Sequence, residues 1–210
     1  MKLAIIFDFD GVIVDSLEVW GDAFISVCNH HGYGHLSTQK AFLDLFDGNM
    51  HESMQKAGIS EVTIQEMIEK LVEDYASNMH KVELFKGIDK MLLELAGIGE
   101  IYVVSSNFTD LVQNFWNSHR LAKCEEILGG DKEKSKVKKI EGIGKKLPDH
   151  EALYIGDTKG DMIEGKLAGA KTVAVTWGWH SAEKLKEGKP DYVVKTPDEL
   201  VLLTKKILEI

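Results

Sequence analysis

The chain has 210 residues, 44 % of them hydrophobic and 28 % charged, with a formal net charge of −9. That suits one domain, or one domain with a modest inserted unit, whose core needs no disulfide or structural metal. The negative balance argues against nucleic acid as the main partner, since binding a polyanion rests on clustered Lys and Arg.

Residues 3–7 form a short apolar run ended by Asp8, the pattern of a buried strand with charge at its carboxyl end. Similar runs lie at 101–105, 125–128, 152–156, 171–177 and 191–194, and most end in Gly, Ser, Asn or Asp. Helical segments separate them at 111–116, 134–147 and 162–170, with Val137, Ile140 and Ile143 on one face of the second. Strands alternating with helices predict right-handed crossovers and a parallel, doubly wound α/β sheet. Ligands of such sheets bind beyond the carboxyl ends of the strands, where the polar clusters gather.

Residues 16–85 break the alternation. Leu17, Trp20, Phe24, Val27, Cys28 and His31 recur at helical spacing. A second helix is expected through Ala41–Phe46, capped by Ser37, and a third through Met50–Ala57. Ile64, Ile68, Leu71, Val72, Tyr75 and Met79 make the stripe of a fourth. The predicted organisation is an α/β core of residues 1–15 and 86–210, with an α-helical cap of residues 16–85. This stretch is acidic: between Asp15 and Phe85 stand 12 acids and 4 lysines.

The two cysteines, Cys28 and Cys124, fall in no metal-binding spacing and read as reduced thiols. The start lacks the apolar run of a secretory signal, and no stretch approaches the roughly 18 apolar residues of a membrane span. A cytoplasmic protein with no membrane partner is therefore expected.

Four pieces at the strand ends carry chemistry. Asp8-Phe9-Asp10-Gly11 places two carboxylates at alternate positions after an apolar strand, which point the same way because strand side chains repeat every two residues; burying both is costly without a cation. Ser105-Ser106-Asn107 could hold an anion or cap the next helix. Lys136 stands among Lys134, Lys138 and Lys139, where a solvated lysine face is the plain alternative. Gly156-Asp157-Thr158-Lys159-Gly160-Asp161 is the fourth piece. The single arginine, Arg120, makes bidentate clamps scarce.

Together these motifs resemble the haloacid dehalogenase superfamily of phosphohydrolases. The first motif extends through Val12-Ile13-Val14-Asp15-Ser16, and helices inserted directly after it resemble the cap of the phosphoglycolate phosphatase and β-phosphoglucomutase branch. The resemblance implies a Rossmann-like core and a Mg²⁺-dependent phosphatase working through an aspartyl-phosphate. It implies Asp8 as nucleophile and metal ligand, the Asp10 carbonyl and Asp157 as further ligands, and the Asp10 carboxyl as acid and base. Ser105, the Ser106 N–H and Lys136 would hold the phosphoryl oxygens, with Asp161 orienting Lys136 or holding a metal-bound water. Lys139 stays open as the alternative lysine. The partner is a small-molecule phosphate ester, phosphoglycolate first; a sugar-phosphate mutase and a non-catalytic phosphate-binding regulator are the alternatives. Oligomeric state has no signature in the sequence. Asp47-Gly48-Asn49 and Trp20 could face substrate, or be a plain turn and core packing. Trp177 and Trp179 read as packing, and His30, His31 and His51 as surface groups.

Overall fold

The computed structural model describes residues 2–210; Met1, the first residue of the expected core, lies outside them. Strand β1 (Lys2–Phe7) leads to a two-residue strand β2 (Val14–Asp15) and four helices: α1 (Leu17–His30), α2 (Gln39–Asp44), α3 (Met50–Lys56) and α4 (Glu61–Asn78). Strand β3 (Glu83–Leu84) returns the chain, pairing antiparallel with β2 through Val14–Leu84 and Asp15–Glu83. Then follow α5 (Ile88–Ala96), β4 (Glu100–Val104), α6 (Thr109–Ser118), β5 (Glu126–Leu128), α7 (Lys136–Lys146), β6 (His150–Gly156), α8 (Lys159–Leu167), β7 (Lys171–Val175), α9 (Ala182–Glu187), β8 (Tyr192–Val194) and α10 (Pro197–Leu208).

The main sheet runs β5-β4-β1-β6-β7-β8, and every pairing in it is parallel. Its strands are apolar on both faces because helices cover both. Leu3, Ile5 and Phe7 of β1 pack with Met91 and Leu95 of α5, Val112 of α6 and Leu200 of α10. Ala4 and Ile6 face the other way, onto Ile140 and Ile143 of α7 and Tyr154 of β6. Helices α5, α9 and α10 go beyond those expected from the sequence. In α5 the buried residues are Ile88, Met91, Leu92 and Leu95, one face of a regular helix.

The helices between β2 and β3 have a hydrophobic cluster of their own, in which Phe24 and Val27 of α1 meet Phe42, Met54, Ile64 and Leu71. Helix α2 is capped by Thr38, not Ser37: Thr38 is extended and its side chain accepts from Ala41 N, whereas Ser37 donates to the Ile25 carbonyl. No helix among the described residues is long and apolar enough to cross a membrane.

Candidate active site

Strand β1 is central, with β4 on one side and β6 on the other, so three strand ends meet at Asp8, Ser105 and Asp157. Asp8 N still donates to the Ile155 carbonyl at 2.9 Å, which fixes the residue against β6. The strand ends at Phe7, and the chain turns through Gly11, whose φ is +79°. A Cβ there would lie 2.1 Å from Asp157 Oδ2, so both the conformation and the space require glycine. Asp8 and Asp10 therefore line one cavity without sharing a continuous strand, and each has its own partners.

Asp8 Oδ1 accepts from Phe9 N at 2.7 Å, and Oδ2 accepts from Lys136 Nζ at 2.7 Å. The same ammonium donates to Asp161 Oδ1 at 2.7 Å. Burial alone would depress Lys136; the Asp161 and Asp8 carboxylates override it and hold the ammonium charged well above its usual range. Burial pushes the Asp8 carboxyl up to about 7 against the pull of Lys136, helped by Asp161 and Asp10.

Asp161 is anchored at the start of α8. It forms a capping box with Thr158, receiving Thr158 N and Oγ1 on Oδ2, while Tyr154 donates to Oδ1 at 2.8 Å. Of the two roles open to it from sequence, the contact present is the one that orients Lys136. Burial disfavours its charge, but Lys136, Thr158 and Tyr154 outweigh that and keep its pKa low.

The two candidate lysines differ in their position on α7. The buried face of that helix is Lys136, Lys139, Ile140 and Ile143, so two of its lysines point inward rather than into solvent. Lys136 reaches the carboxylates. Lys139 passes behind them and donates to the Ser105 carbonyl at 2.6 Å and the Gly129 carbonyl at 3.3 Å, tying the ends of β4 and β5 together. Burial and the nearby Lys136 charge bring Lys139 down to about 8.

Asp10 is held from a different direction. Its Oδ1 accepts from Trp20 Nε1 and from the Tyr75 hydroxyl, each at 2.9 Å, and its Oδ2 accepts from Asn107 Nδ2 at 3.2 Å. The indole and phenol rings stack with centroids 4.1 Å apart. Burial raises the Asp10 pKa, opposed by these hydrogen bonds. Trp20 thus reaches the site through its ring N–H. Tyr75 has no place in the chemistry expected from sequence; its hydroxyl, in a buried apolar stripe, was the available signal, because a buried phenol needs an acceptor.

Ser105 is buried and its Oγ accepts from Asn107 N at 3.0 Å; Ser106 is exposed beside it, and both line the cavity. Asp157 is fully buried. Trp179 N donates to its Oδ2 at 2.7 Å, while its Oδ1 has no partner. Burial, with the Asp161 and Asp8 charges, raises its pKa well above the usual carboxylate range. Carboxylate oxygens of Asp8, Asp157 and Asp161 lie within 4.8 Å of one another, with Lys136 the ammonium bonded among them. An unsatisfied buried oxygen, excess negative charge and an all-oxygen donor set suit a hard divalent cation. Asp161 is the least available of the three, since each of its oxygens already accepts two or more hydrogen bonds, against one on each oxygen of Asp8.

Of the other residues weighed from sequence for a part in the site, Trp179 alone joins this cavity. Asp47 pairs with Lys184 and Lys159, and Asn49 caps α3 while donating to Glu164, so this loop docks on the core rather than forming a free turn. Trp177 donates to the Val12 carbonyl. His51 pairs with Glu61, and both cysteines are free.

A family model described as haloacid dehalogenase-like hydrolase matches residues 5–175. The chain belongs to the haloacid dehalogenase-like hydrolases. Within that family it is 25 % identical over 206 residues to a phosphoglycolate phosphatase of Synechococcus elongatus, covering 94 % of this chain and 95 % of the relative. It is 25 % identical over 233 residues to the pyrophosphatase PpaX of Bacillus mycoides, covering 99 % of each. A haloacid dehalogenase-like hydrolase of Streptococcus pneumoniae superposes with a TM-score of 0.77 at 25 % identity, over 96 % of this chain and 98 % of that one. A structure described as a predicted phosphatase, from Clostridium acetobutylicum, gives 0.83 at 24 % identity over the whole of both chains, which is a likeness of fold.

Proposed function

We propose that this hydrolase is a phosphatase of small phosphomonoesters, with Asp8 as nucleophile and residues 16–85 as a cap over the site. The observation that carries this reading is the separation of two carboxylates two residues apart. Asp8 is paired with an ammonium, and Asp10 is held by neutral donors. Two like groups in unlike surroundings can take opposite protonation states.

Lys136 favours the ionised Asp8 that attack on phosphorus requires. Burial favours the protonated Asp10 that a leaving alkoxide requires. Attack by an Asp8 oxygen forms the aspartyl-phosphate, and Asp10 delivers its proton to the departing oxygen. Asp10, then ionised, takes a proton from the water that attacks phosphorus and frees Asp8. Ser105, Ser106 N–H and Lys136 would hold the phosphoryl oxygens. Mg²⁺, held by Asp8, Asp157 and the Asp10 carbonyl, would supply the positive charge that offsets repulsion between the carboxylate and a phosphate dianion.

The test is phosphate release from p-nitrophenyl phosphate with Mg²⁺ and with EDTA, for the wild type and Asp8→Asn. Release that needs both the ion and Asp8 is expected. Turnover retained in Asp8→Asn would remove the nucleophile and with it this reading. Among esters, the relatives favour phosphoglycolate, whereas the lining of the cavity favours a different class.

A further inference from the structure

We propose, on the phosphatase reading above, that the ester accepted here has an uncharged, apolar leaving group, aromatic or branched aliphatic, rather than a carboxylate or a second phosphate.

The cavity over Asp8 and Asp10 has a volume of about 60 Å³ and two unlike ends. Its polar side chains come chiefly from the strand ends, the loops after them and the first residue of α7, where the phosphoryl group belongs. The wall facing them is built by Phe42, Phe46, Met50, Ile68 and Leu71, with Trp179 beside them. This wall offers no ammonium, guanidinium or imidazole. Among the described lining residues the single cation is Lys136, already bonded to two carboxylates. The chain's one arginine, Arg120, follows the end of α6 and is not part of the lining. An anionic leaving group pressed on this wall would lose its water and gain no counter-charge.

The route out of the cavity is acidic on balance, and its one ammonium without a carboxylate partner, Lys134, is exposed to solvent. Phe46, Met50 and Ile68 continue into an outer groove of about 260 Å³, where Glu69, Asp131, Asp161 and Glu164 outnumber Lys134 and Lys136, and where His51 is paired with Glu61. Lys159 and Lys184, which line neither space, are bonded to Asp47 and Glu187. One neutral group is unused. The Trp179 ring N–H is buried with no acceptor, and being neutral it offers an anion no counter-charge. An apolar leaving group gains from being buried here, and its fit is the kind of remote binding that can be used to orient the phosphoryl group.

The experiment compares kcat/KM with Mg²⁺ for benzyl phosphate, 3-methylbutyl phosphate, phosphoglycolate and pyrophosphate on the full chain. Both apolar substrates are alkyl esters, so an activated aryl leaving group does not enter. The apolar esters are expected to exceed phosphoglycolate and pyrophosphate by about 100-fold or more. Phosphoglycolate or pyrophosphate turned over as well as the benzyl ester would overturn the inference and leave the phosphatase reading standing. Turnover of none of these, nor of p-nitrophenyl phosphate, would remove both. In a second arm Val72→Lys places an ammonium in the half-buried lining of the cavity. It should lower the ratio of benzyl phosphate to phosphoglycolate kcat/KM by about tenfold or more. That ratio does not depend on how much of the variant is folded, and an unchanged ratio would place the leaving group away from this wall and overturn the inference.

Discussion

The Tyr75 hydroxyl donates to Asp10 Oδ1 at 2.9 Å, joining α4 to the turn after β1 across 65 residues of sequence. Trp20 of α1 donates to the same oxygen. The helices over the site therefore touch the chemistry directly, by fixing the carboxyl proposed to move the proton.

Tyr75→Phe keeps the ring and its stacking on Trp20 but removes that donor. A hydrogen bond to a charged group contributes roughly 1.5–3 kcal/mol. The variant should lose about 10- to 100-fold in kcat with little change in KM, because the contact orients Asp10 and does not hold the substrate. Steady-state kinetics on one ester decides this. A change in KM alone would mean that Tyr75 acts on binding.

Lys136→Met retains much of the side-chain volume but leaves Asp8 and Asp161 without their shared ammonium. Breaking a buried ion pair from one side costs about 3–5 kcal/mol. Urea unfolding without divalent ions should show a midpoint lowered accordingly, together with loss of turnover. Lys138→Met, on the exposed side of the same helix, should leave the midpoint where it is.

Metal binding has a readout that needs no substrate. A ligand that binds the folded state alone adds RT ln(1 + [L]/Kd), about 2.7 kcal/mol at 100 times Kd. The wild-type melting temperature should rise with Mg²⁺ in that proportion. Asp157→Asn should melt no lower than the wild type in EDTA, since it removes one of three crowded carboxylates, and should lose the rise. A rise retained in full would place the ion away from Asp157.

Lys139 offers a test of burial by pH. Its folded pKa is about 8 against an ordinary 10.5. Between those values the unfolded chain carries a proton that the folded chain has released, so stability rises with pH through that window. Unfolding of the wild type and Lys139→Met at pH 7, 8.5 and 10 should show the difference shifting toward the wild type above pH 8, by up to about 1.4 kcal/mol per pH unit. Parallel curves would mean that Lys139 keeps its charge.

Much of the core was legible because its signals are local. An apolar run of five residues followed by Asp8, and the same pattern before Ser105 and Asp157, marks buried strands whose polar ends share one edge. Helix α5 needed no distant information either, since Ile88, Met91, Leu92 and Leu95 already hold helical spacing. The choice between Lys136 and Lys139 did need it. They lie three residues apart on one helix, both face inward, and only the position of α7 against β1 and β4 sends one to carboxylates and the other to carbonyls.

The feature that the sequence by itself determined is the pair Asp8 and Asp10 after an apolar strand, with Asp157 and Asp161 bracketing the start of a later helix. Their order along the chain puts all four at one edge of the sheet, and the start of α8 sets Asp161 locally through its capping box with Thr158. What only the tertiary structure decided is the company each carboxyl keeps. Asp8 meets an ammonium 128 residues away, Asp10 meets a phenol and an indole from separate helices, and the wall opposite them is apolar. Those pairings join segments with no fixed sequence separation, so they arise only when the helices pack over the sheet, and they bear on which ester the site can accept.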